Sequence, residues 1–346
     1  MLTGGACAAT IRVLSSADLK PLLTFAQIID QAERAYVWKS EGLTSTFPLV
    51  FHEFAPGTAD MDIKSGHLKP AGIFGMKLVS FFEPNIQKGI APLNASIMLY
   101  DDTNGLLRAV IEGAHLGGLR TGAAAALGAK HLARRSSEKF LVIGCGHQCT
   151  YQVAAMLTAL PGIRHVSVCD PRTPSQAVKM AADLPERLEA DFGIDAQGVG
   201  FEAIDNLEAA VRRSDVITTI TPAREPIVKD GWVSPGTHIN CVGADMKGKQ
   251  EVESALVARA RVFTDDTAQC VDVGEIEVPL SEKVISIERI AGEIGDVIVG
   301  TVQGRQFEND ITLFDTTGLA IQDLAAAKAA LDAAEADNAG ASIDFA

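Results

Sequence analysis

Between Lys139 and Phe314, short β-branched runs alternate with longer helical patterns, and this alternation limits the possible folds more than any other feature of the chain. The strand-like runs are KFLVIG, HVSVCD, DVITTIT, THINCVG, RVFTDD and ITLFD. Segments such as QVAAMLTAL and EVESALVARA separate them and have helical patterns. Strands that alternate with helices indicate βαβ units and a parallel sheet. Because several of these strands are apolar almost throughout, we expect helices on both faces of the sheet.

The chain before about Leu116 has a different pattern. The segment LTFAQIIDQAERAYVWKSEG predicts an amphipathic helix that ends at Gly42, and the strand-like pieces FPLVFHEF, GIFGMKLVSFF and ASIMLYD follow it. An Ala-rich helix, AHLGGLRTGAAAALGAKHLARR, then leads into the alternating region. The C-terminal LAIQDLAAAKAALDAAEADNAG predicts another helix, which we expect to pack back on this first part.

Length and pattern together predict two domains. A chain of 346 residues, 47% of them hydrophobic, is long enough for two cores at about 150 residues per domain. We predict an α/β protein in which a doubly wound parallel sheet spans 117–318. A discontinuous α+β domain takes 1–116 and 319–346.

Charge and cysteine usage exclude several classes of protein. Thirty Lys and Arg against 44 Asp and Glu give a net charge of −14, the wrong sign for a chain that binds nucleic acid through its phosphates. The six cysteines show no paired spacing, which is typical of reduced thiols in the cytosol. MLTGGACAATIRVL lacks the pattern of a secretion signal, and no apolar run reaches ~18 residues. We therefore expect a cytoplasmic protein that binds neither nucleic acid nor a membrane.

The run VIGCGHQCTYQ lies between a predicted strand and a predicted helix, the context of a dinucleotide-binding turn. Gly144 permits the tight turn, and Gly146 lets the main chain approach a pyrophosphate at the helix N-terminus. Cys149 stands where the pattern has its third glycine. A zinc site would need a fourth ligand and a CxxC pair, and a redox pair would need closer spacing, so we interpret Cys145 and Cys149 as packing residues.

Asp170 ends the next predicted strand, where a carboxylate can accept both ribose hydroxyls of NAD and repel the 2′-phosphate of NADP. Arg172 offers that phosphate a partner, so NAD is favoured and NADP stays open. The alternative is that Asp170 is an ordinary turn residue.

Two cations lie among apolar residues of the first part. Lys77 is inside the strand-like GIFGMKLVS, and Arg120 is predicted in the first turn of the Ala-rich helix. A buried lysine is costly unless it meets an anion, and a guanidinium binds a carboxylate at two points. A carboxylate-binding pocket is one interpretation, and two unrelated ion pairs are the other. Lys64 and His67 are either further pocket residues or polar groups at a strand edge.

Asp245 follows the strand-like THINCVG, in THINCVGADMKGKQEVE, at the carboxyl end of a parallel strand where such sheets bind ligands. A partly desolvated aspartate there can exchange a proton with a substrate amine or imine. The alternative is that Asp245 caps the following helix.

Taken together, these segments resemble the ornithine cyclodeaminase/mu-crystallin family, and within it the alanine dehydrogenase and imine reductase branch. The matching pieces, in order from about Gly75 to Lys328, are GMKLVS, LRTGAAAALGAKHLAR, VIGCGHQ, GTHINCVGADMKGKQE and ITLFDTTGLAIQD. The resemblance implies a Rossmann domain inserted in a discontinuous substrate-binding and dimerisation domain, and a homodimer without a metal. It also implies that Lys77 and Arg120 hold a substrate carboxylate, that Asp245 and Lys77 are catalytic, and that Thr317 lies near the reacting centre. The residues it implies around the dinucleotide are Thr121, Gly144, Gly146, His147, Gln148, Asp170, Thr221, Gly243, Lys249 and Thr316.

The resemblance predicts NAD(H)-dependent hydride transfer at the α-carbon of a small amino or imino acid. Candidate substrates are alanine with pyruvate and ammonia, iminosuccinate, and cyclic imines. Ornithine cyclodeaminase is the alternative, but the Glu that binds the distal amine of ornithine is not evident around ADMDIKSGH, where cations stand instead. A crystallin-like NAD(P)-binding protein without turnover is a third possibility. Glu275 is given only a structural role.

Overall fold

The structure is a computed structural model that describes residues 10–345. The helices are α1 (Ser16–Leu19), α2 (Phe25–Ser40), α3 (Gly113–Leu132), α4 (Gln148–Ala159), α5 (Pro174–Phe192), α6 (Leu207–Arg213), α7 (Ser254–Arg259), α8 (Thr267–Val273), α9 (Glu277–Ser281), α10 (Ile294–Ile298) and α11 (Ala320–Asp337). The strands are β1 (Thr10–Leu14), β2 (Thr44–Thr46), β3 (Val50–Ala55), β4 (Ala59–Leu68), β5 (Ile73–Phe82), β6 (Leu93–Asp101), β7 (Leu107–Glu112), β8 (Lys139–Ile143), β9 (His165–Cys169), β10 (Gly200–Ala203), β11 (Val216–Thr219), β12 (His238–Cys241), β13 (Arg261–Thr264), β14 (Ile290–Glu293), β15 (Thr312–Asp315) and β16 (Ala341–Asp344).

The chain forms two compact units. Unit 1 comprises the chain up to Arg120 and from Leu319 onward, and unit 2 is Thr121–Gly318. The first boundary falls inside α3 (Gly113–Leu132), a few residues after the position expected from the sequence.

Unit 1 is a mainly antiparallel sheet covered on one face by helices. Its strand order is β16-β1-β7-β6-β5-β4-β2, with β3 paired to β4. Helix α11 packs on β4, β5 and β6 and also contacts α2. Gly66 and Gly75 lie opposite each other on β4 and β5. A Cβ at Gly75 would lie 2.9 Å from Leu324, so the small residues let α11 approach the sheet.

Helix α2 shows how local sequence sets the ends of an element. Thr24 and Gln27 form a reciprocal capping box at its N-terminus, with N–H···O distances of 2.9 and 3.3 Å. Gly42 follows its C-terminus with φ +69°, a conformation that favours glycine. The helix predicted to end at Gly42 is therefore present.

Unit 2 is a parallel sheet in the order β10-β9-β8-β11-β12-β15-β13-β14. The order reverses between β8 and β11, as in a Rossmann-type doubly wound sheet. Strands β11, β12 and β15 are buried at every residue, as expected for central strands of a parallel sheet that is covered on both faces. The predicted α/β fold class is confirmed.

Three further expectations from the sequence concerned the state of the cysteines, metal binding and membrane-spanning segments. The five cysteines within residues 10–345 are unpaired and buried, and Cys7 lies outside that range together with most of the N-terminal run. Within the same range no group of His, Cys, Asp and Glu is arranged to hold a metal ion. None of the described helices is long and apolar enough to span a bilayer.

Candidate active site

A cavity of about 210 Å³ lies in unit 2 where the strand order reverses, at the carboxyl ends of β8, β9 and β11. Open α/β sheets bind ligands at such a point. Four predicted cofactor-binding residues line this cavity: Gly144, Gly146, Asp170 and Thr221. The other predicted cofactor residues lie outside its walls: Thr121, His147, Gln148, Gly243, Lys249 and Thr316.

The loop after β8 allows a ligand to approach the main chain. Gly144 has φ +116°, and a Cβ there would lie 2.8 Å from the carbonyl oxygen of Ile220. A Cβ at Gly146 would meet only open space, so this glycine leaves room for a ligand. No side chain in the described part of the chain caps the first amides of α4. Open space and uncapped amides fit the pyrophosphate of a dinucleotide.

The side chains of this loop divide into exposed and buried groups. His147 is exposed, and its ring centroid lies 5.1 Å from that of Tyr151. Cys145 and Cys149 are buried. A hydrogen bond with Cys145, together with burial, raises the pKa of the Cys149 thiol well above its usual value. The Cys149 thiol is therefore a protonated packing group at neutral pH.

Asp170 stabilises the turn after β9. Its carboxylate accepts hydrogen bonds from the N–H groups of Cys145 at 3.3 Å, Arg172 at 3.0 Å and Thr173 at 2.9 Å. Asp170 is thus a turn residue whether or not it also binds ribose, because its Oδ2 accepts the bond from Cys145 and can accept a further one. Arg172 lines the same cavity, so the choice between NAD and NADP depends on both side chains.

A group of buried carboxylates that was not predicted from the sequence lies near the carboxyl edge of the sheet: Glu251, Asp265 and Asp315, beside Glu275. Glu275 accepts hydrogen bonds from the N–H groups of Glu251 and Val252, at 2.9 and 2.7 Å, which is a structural role. Burial, with Glu251 nearby, raises the pKa of Glu275 well above its usual value.

Asp265 fixes the two predicted threonines after β15. It accepts hydrogen bonds from the hydroxyls of Thr316 at 2.8 Å and Thr317 at 3.2 Å, and from the Gly318 N–H at 2.9 Å. The Thr317 hydroxyl also accepts a bond from Gln269 Nε2 at 2.8 Å. This loop therefore has a defined conformation in the protein itself.

Asp245 lies in the loop after β12, and the structure excludes the alternative that it caps the following helix. Its side chain is 50% exposed and lies 2.5 Å from Lys249 Nζ, so it is solvated and ion-paired rather than desolvated in the protein alone. Helix α7 begins only at Ser254, with Glu253 at its N-cap. Asp245 therefore does not cap that helix, and proton transfer remains its predicted role.

The buried carboxyl group of Asp315 is expected to make the stability of the folded protein depend on pH. Burial and the neighbouring Asp265 raise the pKa of Asp315 to about 8. Between about pH 4 and pH 8 the folded protein keeps a proton that the unfolded chain has lost, so stability falls as pH rises through this window. We expect Asp315→Asn to raise the melting temperature relative to wild type at about pH 8 more than at about pH 5.

Scanning calorimetry at the two pH values checks this expectation, with Asp205→Asn as the control because Asp205 is exposed. The control variant is expected to follow wild type at both values. An Asp315→Asn curve that is parallel to wild type across the range would contradict the protonated state of this side chain.

In unit 1, Lys77 and Arg120 share a carboxylate that the sequence analysis did not identify. Lys77 Nζ lies 3.0 and 2.9 Å from the two oxygens of Asp323, and Arg120 Nε lies 2.8 Å from one of them. All three side chains are buried. Burial and Arg120 lower the pKa of Lys77 to about 8. Burial would raise the pKa of Asp323, but Arg120 and Lys77 hold it below its usual value.

This cluster of Lys77, Arg120 and Asp323 joins β5, α3 and α11. Two cations and one anion leave one positive charge uncompensated within it when Lys77 is protonated. The expectation that Arg120 lies in the first turn of its helix is wrong, because α3 begins at Gly113. Arg120 is positioned by Asp323 instead.

Lys64 and His67 lie on opposite faces of β4, because side chains alternate along a strand. Lys64 is directly opposite Lys77 in the register of β4 and β5 and shares its face. His67 points to the other face, where its Nε2 lies 2.9 Å from Asp102. Of these two, only Lys64 can contribute charge to the cluster.

The two units together define an α/β protein of the Rossmann class with a discontinuous α+β unit and a buried cationic cluster. The chain belongs to the ornithine cyclodeaminase/mu-crystallin family, whose model matches residues 10–338. The predicted family is thereby confirmed.

Three solved structures resemble the chain closely. The Δ1-pyrroline-2-carboxylate reductase of Thermococcus litoralis, in complex with NADH and L-proline, has a TM-score of 0.89 and 30% identity, over 96% of this chain and 100% of that one. An archaeal alanine dehydrogenase dimer with bound NAD has a TM-score of 0.88 and 34% identity, over 97% and 100%. The iminosuccinate reductase of Paracoccus denitrificans, in complex with NAD⁺, has a TM-score of 0.88 and 29% identity, over 97% and 100%.

Proposed function

We propose that the protein is an NAD(H)-dependent oxidoreductase that interconverts a small α-amino acid and the corresponding imino acid. The observation that carries the proposal is the buried cluster of Lys77, Arg120 and Asp323, with its one uncompensated positive charge. A buried excess cation is costly unless an anion meets it, and a substrate carboxylate supplies one. The names of the three similar structures all describe enzymes of this reaction class.

The cavity of unit 2 supports NAD(H) as the cofactor. We assign the dinucleotide to the loop after β8, with Gly146 and the α4 amides at the pyrophosphate and Asp170 at a ribose. Unit 2 is then the cofactor domain and unit 1 the substrate domain. The buried, unpaired cysteines support a reducing, cytoplasmic location.

The side chains of the protein have separate tasks in this reaction. Lys77 and Arg120 hold the substrate carboxylate, which fixes the α-carbon for hydride transfer. Asp245 takes a proton from the amine as the C–H bond breaks and the C=N bond forms, and it returns the proton in the reverse direction. When bound, NAD⁺ accepts the hydride and NADH supplies it.

Lys64 favours a substrate with a second carboxylate. It lies opposite Lys77 on the same face of the sheet. Its positive charge lowers the pKa of both Lys77 and Asp323, although burial, Arg120 and the contact between Lys77 and Asp323 have larger effects on these pKa values. We therefore place iminosuccinate, formed from oxaloacetate and ammonia, beside pyruvate with ammonia and cyclic imines as candidate substrates.

The proposal is tested by following NADH absorbance with each candidate. Consumption of NADH with any 2-oxo acid plus ammonia, or with a cyclic imine, supports it. Ornithine is tested in parallel, because cyclodeamination releases ammonia with no net change in NADH. Ammonia release from ornithine without NADH consumption in any other assay would replace the proposal by ornithine cyclodeamination.

We further propose that unit 1 forms a homodimer through the face of its sheet opposite α11. Since Gly75 faces α11, its neighbours Phe74 and Met76 point the other way. Tyr100 and Met98 lie opposite them on β6, and the rings of Phe74 and Tyr100 stack at 5.1 Å. Leu78 continues this row of apolar side chains and is 37% exposed. A contiguous, partly exposed apolar sheet face is typical of a protein interface, and an archaeal relative is a dimer.

We expect Leu78→Asp to convert the dimer to a monomer, since the symmetric interface would bury two carboxylates without partners. Sedimentation velocity gives the mass in solution. Val178→Asp is the matched control, because Val178 is 62% exposed on α5 in unit 2. A Leu78→Asp protein with the mass of wild type would exclude this face as the interface.

A further inference from the structure

We infer that Glu251 is a positioning residue for dinucleotide binding. Its carboxylate is hydrogen-bonded to the carboxyl ends of both β11 and β12 and thereby fixes the position of one wall of the cavity. The inference rests on the proposed NAD(H) dependence. Glu251 was not among the predicted site residues, and it does not itself line the cavity. It acts only through the groups that it holds.

The carboxylate of Glu251 binds both strand ends at once. Oε1 accepts hydrogen bonds from the Thr221 N–H at 2.6 Å and the Thr221 hydroxyl at 2.7 Å. Oε2 accepts bonds from the Thr219 hydroxyl at 2.7 Å and the Gly243 N–H at 2.8 Å. Thr219 ends β11, and Gly243 follows β12. A carboxylate has capacity for these four donors, and no neutral side chain of this length does.

Glu251 is itself held rigidly. It is fully buried, and Glu275 accepts hydrogen bonds from its N–H at 2.9 Å and from the N–H of Val252 at 2.7 Å. A Cβ at Gly243 would lie 2.6 Å from Oε1 of Glu251, so the strand end approaches as closely as a glycine allows. The carboxylate therefore cannot shift without breaking several hydrogen bonds to buried groups.

The segment held by Glu251 forms one wall of the cavity. Ile220, Thr221, Pro222 and Ala223 all line it. The N–H and the hydroxyl of Thr221 both donate hydrogen bonds to Glu251, and the hydroxyl also accepts a bond from the Ala223 N–H at 3.3 Å. The main-chain conformation of this segment thus depends on the Glu251 carboxylate behind it. A shift of the segment would change the space that is available to the cofactor.

The test substitutes Glu251→Gln and measures the dissociation constant of NADH by fluorescence titration. A glutamine has one acceptor oxygen, so its amide nitrogen must face the N–H of either Thr221 or Gly243. We expect the dissociation constant and the KM for NADH to rise about tenfold to a hundredfold. We expect kcat at saturating NADH to change much less, since binding rather than the chemical step is altered.

Asp215→Asn is the matched control. Asp215 joins the amino ends of β8 and β11, since it accepts bonds from the N–H groups of Glu138 at 2.9 Å and Lys139 at 3.0 Å and pairs with Arg134 at 2.6 Å. Asp215 therefore lies at the amino ends of the strands, whereas Glu251 lies at the carboxyl ends of strands in the same sheet. We expect it to lower the melting temperature as Glu251→Gln does, while leaving NADH binding unchanged.

The outcomes separate the two proposals. A wild-type protein that does not bind NADH overturns the proposed cofactor and the role of Glu251 together. Wild-type binding combined with equal NADH affinity in Glu251→Gln, or an equal loss in Asp215→Asn, overturns the positioning role alone. If Glu251→Gln is recovered unfolded, Glu251→Asp is measured instead. Its shorter carboxylate reaches only one strand end, so unchanged affinity in that variant also overturns the inference.

Discussion

Replacement of Asp245 by asparagine is expected to lower kcat for imino-acid reduction by about 10²- to 10⁴-fold, the range for loss of a general acid or base. The amide has nearly the same shape as the carboxylate but cannot exchange a proton. Because Asp245 is 50% exposed and lies on a loop, the substitution creates no cavity, and the amide oxygen of asparagine can still accept the hydrogen bond from Lys249 Nζ. We therefore expect the melting temperature and the dissociation constant of NADH to stay close to those of wild type.

Single-turnover kinetics with saturating NADH separate this loss from an effect on cofactor release. Asp230→Asn is the matched control, because Asp230 is another partly exposed aspartate of unit 2 that pairs with a basic side chain, Arg259, at 2.6 Å. It is expected to retain full activity. A fall in kcat of less than about threefold in Asp245→Asn would remove Asp245 from the chemical step.

The sequence predicts the framework of unit 2 because its strands are buried on both faces. Strand β11, with the sequence VITT, consists of β-branched residues throughout, which indicates strand structure without any knowledge of the neighbours. The edge strand β10, with the sequence GFEA, alternates between exposed and partly buried residues. Its structure comes from pairing with β9, and so the local pattern did not predict it.

The residues of the candidate site likewise differ in whether local sequence identifies them or whether their role depends on residues far away along the chain. Gly144 can be identified from the sequence because its conformation, at φ +116°, requires glycine within a recognisable loop. Asp323 cannot, because its partners Lys77 and Arg120 lie 246 and 203 residues away along the chain. The only local signal for Asp323 is a charged residue among the buried apolar residues Ile321 and Leu324. Glu251 was missed because three of its four hydrogen-bond donors belong to Thr219 and Thr221, which lie 32 and 30 residues away on β11 and in the loop after it.

Replacement of Lys77 by methionine is expected to lower kcat/KM for the amino or imino acid by about 10²-fold or more, chiefly through KM. The substitution keeps much of the buried volume but removes one of the two cations, so that Arg120 and Asp323 neutralise each other and the cluster loses its excess positive charge. Lys328→Met is the matched control, since Lys328 pairs with Asp332 at 2.6 Å on α11, the helix that carries Asp323.

The lowered pKa of Lys77 allows a further test, which distinguishes binding of the substrate carboxylate by Lys77 from a purely structural role of this residue. Because burial and Arg120 bring that pKa to about 8, the KM of wild type is expected to rise as the pH increases through this value and the ammonium loses its proton. Lys77→Arg keeps its charge throughout the range, so the rise in KM is expected to disappear in that variant. Equal pH profiles of KM in wild type and Lys77→Arg would place the carboxylate elsewhere, because in that case the protonation state of residue 77 would not govern substrate binding.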